Sequence, residues 1–259
     1  MSTQSIGFIG GGRVVRILLS GWTKANALPG NIVVSDPNAE TLTKLKTDFP
    51  VITIAVGDNR PAAGQSVVFL AVHPPVMMAT LAELRGAVSP DAVVVSLAPK
   101  FTLARLADGL GGHEKLARMI PNAPSIVGAG FNPMTFSSSV TEEAKREFRS
   151  LVATLGECPE VAEWKLEGYA LLTAMGPTYL WFQLQALREV AAGFGLTDDE
   201  VVTALSHMVS GATRTLLESH LTPAQVMDLI PVKPLADDEA AIKAVYQNRL
   251  PALFAKIKP

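Results

Sequence analysis

Ile6-Gly7-Phe8-Ile9-Gly10-Gly11-Gly12-Arg13-Val14-Val15 passes from an apolar strand pattern, through three consecutive glycines, into an amphipathic helical pattern. Gly10 and Gly12 fill the first two positions of G-x-G-x-x-G, where the backbone turns tightly and approaches phosphate oxygens too closely for a Cβ. The amides of Gly11, Arg13 and Val14 follow at the helix N-terminus, where backbone N–H groups and the helix dipole attract an anion. The chemistry implied is capture of a dinucleotide's diphosphate. Val15 occupies the third motif position, where Gly or Ala normally allows close helix–strand packing, so the first turn is expected to sit further out or to be repacked. Val14, Ile17 and Leu18 are read as the inward face of this helix, with Gly21 placed to stop it.

A second short apolar run, Asn31-Ile32-Val33-Val34-Ser35-Asp36, ends in an acid 24 residues after Gly12. That is near the spacing at which a carboxylate hydrogen-bonds the adenosine ribose, and it favours NAD. A 2′-phosphate about 5 Å away would meet roughly 3 kcal/mol of repulsion at an effective dielectric near 20. Arg13 and Arg16 can offset it, since cations in a first helical turn are disfavoured unless an anion binds there. Two solvated arginines are the alternative, as is a turn role for Asp36 before Pro37. The choice between NADP and NAD therefore stays open.

Further along, Ala71 and Val72 end another buried run, with His73 and Pro74 at its rim, where a cofactor would lie. His73 is read either as a neighbour of the nicotinamide ribose or as a solvated loop residue. Ile120-Pro121-Asn122-Ala123-Pro124-Ser125 is too rich in proline for regular structure. It suits a rigid loop holding Asn122 towards a ligand, or a linking turn. Thr173-Ala174-Met175-Gly176-Pro177-Thr178-Tyr179 puts a helix break among hydroxyls, which frees amides for an anionic substrate or marks a kink at a subunit contact. His113, His207 and His220 lack metal-ligand spacing, and the single cysteine, Cys158, is read as packing, so no metal site is expected.

The elements that must position these groups follow from hydrophobic patterning. Strands are predicted at 51–54, 66–72, 92–97 and 116–120, in addition to the two already named. Their continuous rather than alternating apolar character signals burial on both faces. The expected fold is α/β, a doubly wound parallel sheet over residues 1–160, with ligands at the carboxyl ends of its strands. Residues 161–259 carry helical periodicity with almost no β-rich runs. Thr197-Asp198-Asp199-Glu200 has the form of a capping box, Thr222-Pro223 marks another helix start, and Pro177 interrupts a helical stretch from 166 to 194.

The net charge of -2 gives no basic field for nucleic acid, and no apolar stretch reaches the length of a membrane span. No signal-peptide pattern precedes the first strand, so the cytosol is the default location. A mean hydropathy of +0.28 hints at apolar helix surface covered by a second subunit.

Taken in order, several segments resemble pyrroline-5-carboxylate reductase from about residue 5 to residue 228. They are the glycine run, Ser35-Asp36-Pro37, Asp58-Asn59, residues 68–74, Arg118-Met119-Ile120-Pro121-Asn122-Ala123-Pro124, Gly176-Pro177-Thr178-Tyr179 and Leu216-Leu217-Glu218-Ser219. The resemblance implies a Rossmann domain followed by an all-α dimerisation domain, in a homodimer or higher homo-oligomer. It implies hydride transfer from NADPH or NADH to the C=N carbon of a cyclic imine in proline biosynthesis. Ser35 and Asn59 join the cofactor-binding set, and Thr173, Tyr179 and Asn122 become the candidate catalytic residues for a small-molecule substrate. The chain departs from the family at Arg13, at His73 and at Thr173-Ala174-Met175. The departure is greatest at 231–238, where the family's Ser-Pro-Gly-Gly-Thr-Thr carboxylate grip is replaced by Pro231-Val232-Lys233-Pro234-Leu235-Ala236-Asp237-Asp238. Asp237 or Asp238 would repel a carboxylate, while Lys233 either supplies a point charge in place of the lost donors or is simply solvated.

Overall fold

The computed structural model describes residues 4–259. The predicted buried runs form β1 (Ile6–Ile9), β2 (Ile32–Asp36), β3 (Thr53–Val56), β4 (Val67–Leu70), β5 (Val93–Ser96) and β6 (Leu116–Met119). β3 starts two residues later than the pattern suggested. All pair in parallel, and β8 (Met134–Phe136) adds an antiparallel edge beside β6, giving the order β3-β2-β1-β4-β5-β6-β8. β7 (Gly130–Phe131) and β9 (Gly156–Glu157) pair separately. The strand order reverses between β1 and β4, which opens a crevice at their carboxyl ends.

Helices α1 (Arg13–Lys24), α2 (Ala39–Asp48), α3 (Arg60–Ala63), α4 (Pro74–Leu84), α5 (Leu103–Gly109) and α6 (Glu142–Val152) join the strands. Two apolar clusters result. One packs Phe8, Val34 and Phe69 against Leu18, Trp22, Leu42 and Phe148, and the other packs Ile9, Val68 and Val94 against Ala62, Met77, Leu81 and Leu106. Alternate residues of one strand thus enter different clusters, as buried parallel strands require. Phe8 and Phe69 stack with centroids 4.9 Å apart, and Trp22 donates from its indole N–H to the Leu151 carbonyl at 2.8 Å.

Two expectations about α1 are corrected. Its buried stripe is Val15, Leu18, Leu19 and Trp22, with Val14 and Ile17 only partly covered, so Val15 is taken into the core. Gly21 does not stop the helix, which runs on to Lys24. A Cβ at Gly21 would lie 2.3 Å from the Ser125 carbonyl oxygen, so the glycine permits close approach of α1 to the turn at Ala123–Val127.

The chain divides into two compact units, one holding the residues up to Met175 together with Phe254–Pro259, the other Gly176–Leu253. The sequence pattern had set this change at 160/161. Residues 161–175 stay with the sheet because Arg118, fully buried on β6, donates to Glu163 at 3.0 Å and to Glu167 at 2.5 Å. Glu167 lies in α7 (Leu166–Tyr169), which continues into a wider π turn at Ala170–Ala174.

The second unit is built from α8 (Pro177–Ala191), α9 (Asp198–Glu218), α10 (Pro223–Asp228) and most of α11 (Glu239–Ile257). The Thr197–Glu200 capping box forms as predicted, and Thr222 makes a second one with Gln225. Val201 is the one residue of 176–253 that is buried, whereas Phe182, Phe194 and Leu217 are 67%, 72% and 75% exposed. Among the described residues, no helix is long and apolar enough to cross a membrane.

Candidate functional site

At the β1/β4 reversal the crevice has two adjoining lobes, of about 490 Å³ and about 440 Å³, which share Gly12, Ala71, Val72 and His73. The first reaches Arg13, Val14 and Pro74 and is closed by Leu97, Ala98 and Pro99 after β5. The second reaches Gly10, Asp36, Thr41, Asn59, Thr80 and Glu83. All the predicted cofactor residues except Gly11 and Ser35 line one lobe or both.

The glycines show how the turn beside the crevice is made. Gly10 has φ of 101°, in the region that favours glycine, and a Cβ there would fall 2.7 Å from the Ala71 carbonyl oxygen. Gly12 opens α1, and among the described residues none beyond its chain neighbours comes within 4 Å of its missing Cβ, so a side chain would project into open space at the boundary of the lobes. An elongated anion therefore has access to the backbone at the start of α1, and the residues present fit a dinucleotide.

Gly11 and Ser35 stand behind the lining. Gly11 is buried, and its N–H donates to Asp36 Oδ2 at 2.8 Å, which takes that amide away from a diphosphate. The buried Ser35 hydroxyl donates to Asn59 Oδ1 at 2.6 Å, and the Asn59 amide in turn donates to both Glu83 oxygens at 3.1 Å. Asp36 Oδ1 accepts from the Asn38 N–H at 2.8 Å. Sequence reasoning missed Glu83, an acid on a helix whose place at the cleft depends on the Asn59 contact, 24 residues away in the chain. Of the two arginines, Arg13 lines the first lobe and Arg16 is paired with Asp48. His73 is exposed and touches both lobes.

The three candidate catalytic residues fall in both units. Asn122 is held inside the first, its Oδ1 accepting from the Phe131 N–H at 3.1 Å and its amide donating to the Thr173 carbonyl at 3.2 Å. It acts as a strut between two segments rather than reaching freely towards a ligand. The Thr173 hydroxyl donates to the Tyr169 carbonyl at 2.8 Å, so its oxygen remains an acceptor only. The Met175 and Tyr179 N–H groups bond the Ala170 and Gly176 carbonyls, so these two amides are not available to an anion. In the second unit, Tyr179 meets Tyr246 edge to face at 6.0 Å beside a recess of about 410 Å³ between α8 and α11. Burial, and secondarily Tyr246, pushes the Tyr179 phenol above its ordinary pKa. The substituted segment 231–238 is exposed and non-helical up to its end.

Residues 5–100 match the family described as NADP oxidoreductase, coenzyme F420-dependent. Pyrroline-5-carboxylate reductase 3 of Xenopus laevis is 30% identical over 223 residues, covering 85% of this chain and 80% of that protein. The solved pyrroline-5-carboxylate reductase of Coxiella burnetii is similar with a TM-score of 0.69 at 29% identity, over 98% of this chain and 94% of the other. The Plasmodium falciparum pyrroline carboxylate reductase, solved with NADP bound, shares the fold at a TM-score of 0.75 and 18% identity, over 99% and 95% of the two chains. With that identity and coverage, the chain belongs to the pyrroline-5-carboxylate reductase family.

Proposed function

We propose that this chain is a nicotinamide-dependent reductase that adds hydride to the C=N carbon of a small cyclic imine, the reaction named for its relatives being reduction of pyrroline-5-carboxylate. The observation that carries the reading is the two-lobed crevice that meets at Gly12, on the strand-order reversal of a parallel sheet. The reduced nicotinamide, when bound, supplies the hydride. Arg13 and the start of α1 hold the diphosphate, Asp36 and Asn59 the adenosine side, and His73 and the 97–99 loop border the remaining lobe.

An iminium carbon is already electrophilic, so the protein's task is orientation and exclusion of water rather than strong acid catalysis. Thr173 suits that task, because its committed hydroxyl can accept from a protonated imine nitrogen without competing for the proton. Tyr179, a neutral phenol whose pKa burial raises further, is the alternative partner for that nitrogen.

The segment 231–238 favours a second reading, in which the substrate is another imine or a ketone, because its glycines and hydroxyls are replaced and two acids are added. Purified protein with reduced coenzyme, pyrroline-5-carboxylate, other cyclic imines and 2-oxo acids decides between them by loss of reduced-nicotinamide absorbance. Coenzyme binding with no turnover on any of them would leave a silent nucleotide-binding protein instead.

We further propose that a second copy of the chain covers the exposed apolar helices of Gly176–Leu253, which bury too little on their own to be stable, and that the enzyme works in the cytosol.

A further inference from the structure

We infer that this protein is selective for NADH over NADPH, through Asp36 reinforced by Glu83, although the matched family description names NADP and a relative was solved with NADP bound. The inference rests on the reading of the crevice as a dinucleotide site. Among the described residues, the adenosine lobe is lined by two carboxylates, Asp36 and Glu83, and by no lysine or arginine.

Neither acid is free to swing away. Asp36 accepts from two backbone N–H groups, those of Gly11 and Asn38, both at 2.8 Å, so its charge stays at the carboxyl end of β2. Glu83 is fixed by the Asn59 amide, itself held by Ser35. A ribose 2′-hydroxyl can donate to such a carboxylate. A 2′-phosphate cannot, and it brings a charge of about −1.5 to −2 at neutral pH.

The cations on the neighbouring elements face other acids or carbonyls, and none of them lines this lobe among the described residues. Arg16 pairs with Asp48, Arg60 with Asp58 and Lys44 with Glu40, while Lys46 donates to the Pro50 and Ile52 carbonyls. Arg13 lies on the other lobe. His73, shared by both lobes, is the one basic side chain that lines the adenosine lobe among the described residues.

The test is equilibrium binding, by calorimetry or intrinsic fluorescence, of NADH and NADPH to the full-length wild-type protein, with competition by ADP and by 2′,5′-ADP to isolate the adenosine half. NADH is expected to bind at least about tenfold more tightly than NADPH, and ADP to compete better than 2′,5′-ADP. Asp36→Ser and Glu83→Gln should each narrow the ratio, Asp36→Ser more. Equal affinities, or tighter NADPH, overturn the inference while leaving the reductase intact. Binding of neither coenzyme would remove the nucleotide site itself and the inference with it. The wild-type comparison stands even if Asp36→Ser, which strips the Gly11 N–H of its partner, fails to fold.

Discussion

The Asn122 side-chain amide donates at 3.2 Å to the carbonyl of Thr173, the carbonyl that Pro177, lacking an N–H, cannot pair in helical register. The helix break thus does not leave this acceptor orphaned. It is satisfied from the loop after β6, and that loop is fixed in turn, since the Asn122 N–H and the Ser125 hydroxyl both donate to Asn132 Oδ1, at 3.0 and 2.9 Å. The proline-rich loop after β6 and the wider turn that ends near Thr173 are therefore coupled through one side chain.

Asn122→Ala should remove both the Thr173 and the Phe131 partners and cost about 1–3 kcal/mol, because each would leave a partly buried backbone group unpaired. Asn122→Asp keeps the acceptor for Phe131 but sets a carboxylate against the Thr173 carbonyl, so it should recover only part of the loss. Urea denaturation of the three proteins with a common slope checks this. Equal stability of Asn122→Ala and wild type would refute the strut.

Arg118 has a simpler prediction. Its guanidinium is fully buried and faces Glu167, which is 1% exposed, and Glu163, which is 32% exposed. Arg118→Met alone strands a buried carboxylate and should cost about 3–5 kcal/mol. Adding Glu167→Leu should return a good part of that, so the double variant is more stable than the sum of the singles implies. A thermodynamic cycle in urea measures the coupling, and additivity of the two substitutions would count against the pair.

These two relationships mark what could be seen in the chain beforehand. Local patterns were legible: continuous apolar runs gave the parallel strands, the glycine run gave the tight strand-to-helix turn beside the crevice, and Thr197 with Glu200 gave a capped helix, because each signal lies within a few residues. What escaped is non-local. Arg118 finds its carboxylates 45 and 49 residues away, and Asn122 finds Thr173 51 residues on. Glu83 belongs to the crevice only because Asn59 meets it there. Gly21 read as a stop signal, yet its purpose is a close approach to a turn about a hundred residues later. The three-residue β8 is too short to stand out in a periodicity window, and its antiparallel register is set by β6.

The second-copy proposal makes a measurable claim. Sedimentation should give a dimer or a larger homo-oligomer, with a melting temperature that rises with protein concentration. Phe182→Glu or Leu217→Glu, placing charge on strongly exposed apolar positions of α8 and α9, should shift the protein towards monomer and lower that temperature. A wild-type monomer at tens of micromolar, about the range where weak self-association is detected, would oppose the proposal.

Gly10 and Gly12 separate folding from ligand capture most cleanly, since they are two residues apart and differ in what a methyl group would meet. At Gly10 the positive φ alone costs about 1–3 kcal/mol for a residue with a Cβ, and contact with the Ala71 carbonyl adds to it, so Gly10→Ala should melt at a clearly lower temperature. At Gly12 the backbone has φ −76° and ψ −163°, open to any residue, and among the described residues none beyond its chain neighbours lies within 4 Å of the added atom. Gly12→Val should therefore keep its stability within about 0.5 kcal/mol, as surface substitutions commonly do. Its side chain would nonetheless stand between the two lobes, on the path proposed for the diphosphate, and coenzyme affinity should fall at least about tenfold, the equivalent of about 1.4 kcal/mol. Thermal melts and coenzyme titrations on the same preparations read both effects. If Gly12→Val bound coenzyme as tightly as wild type, the start of α1 would not be where the diphosphate sits.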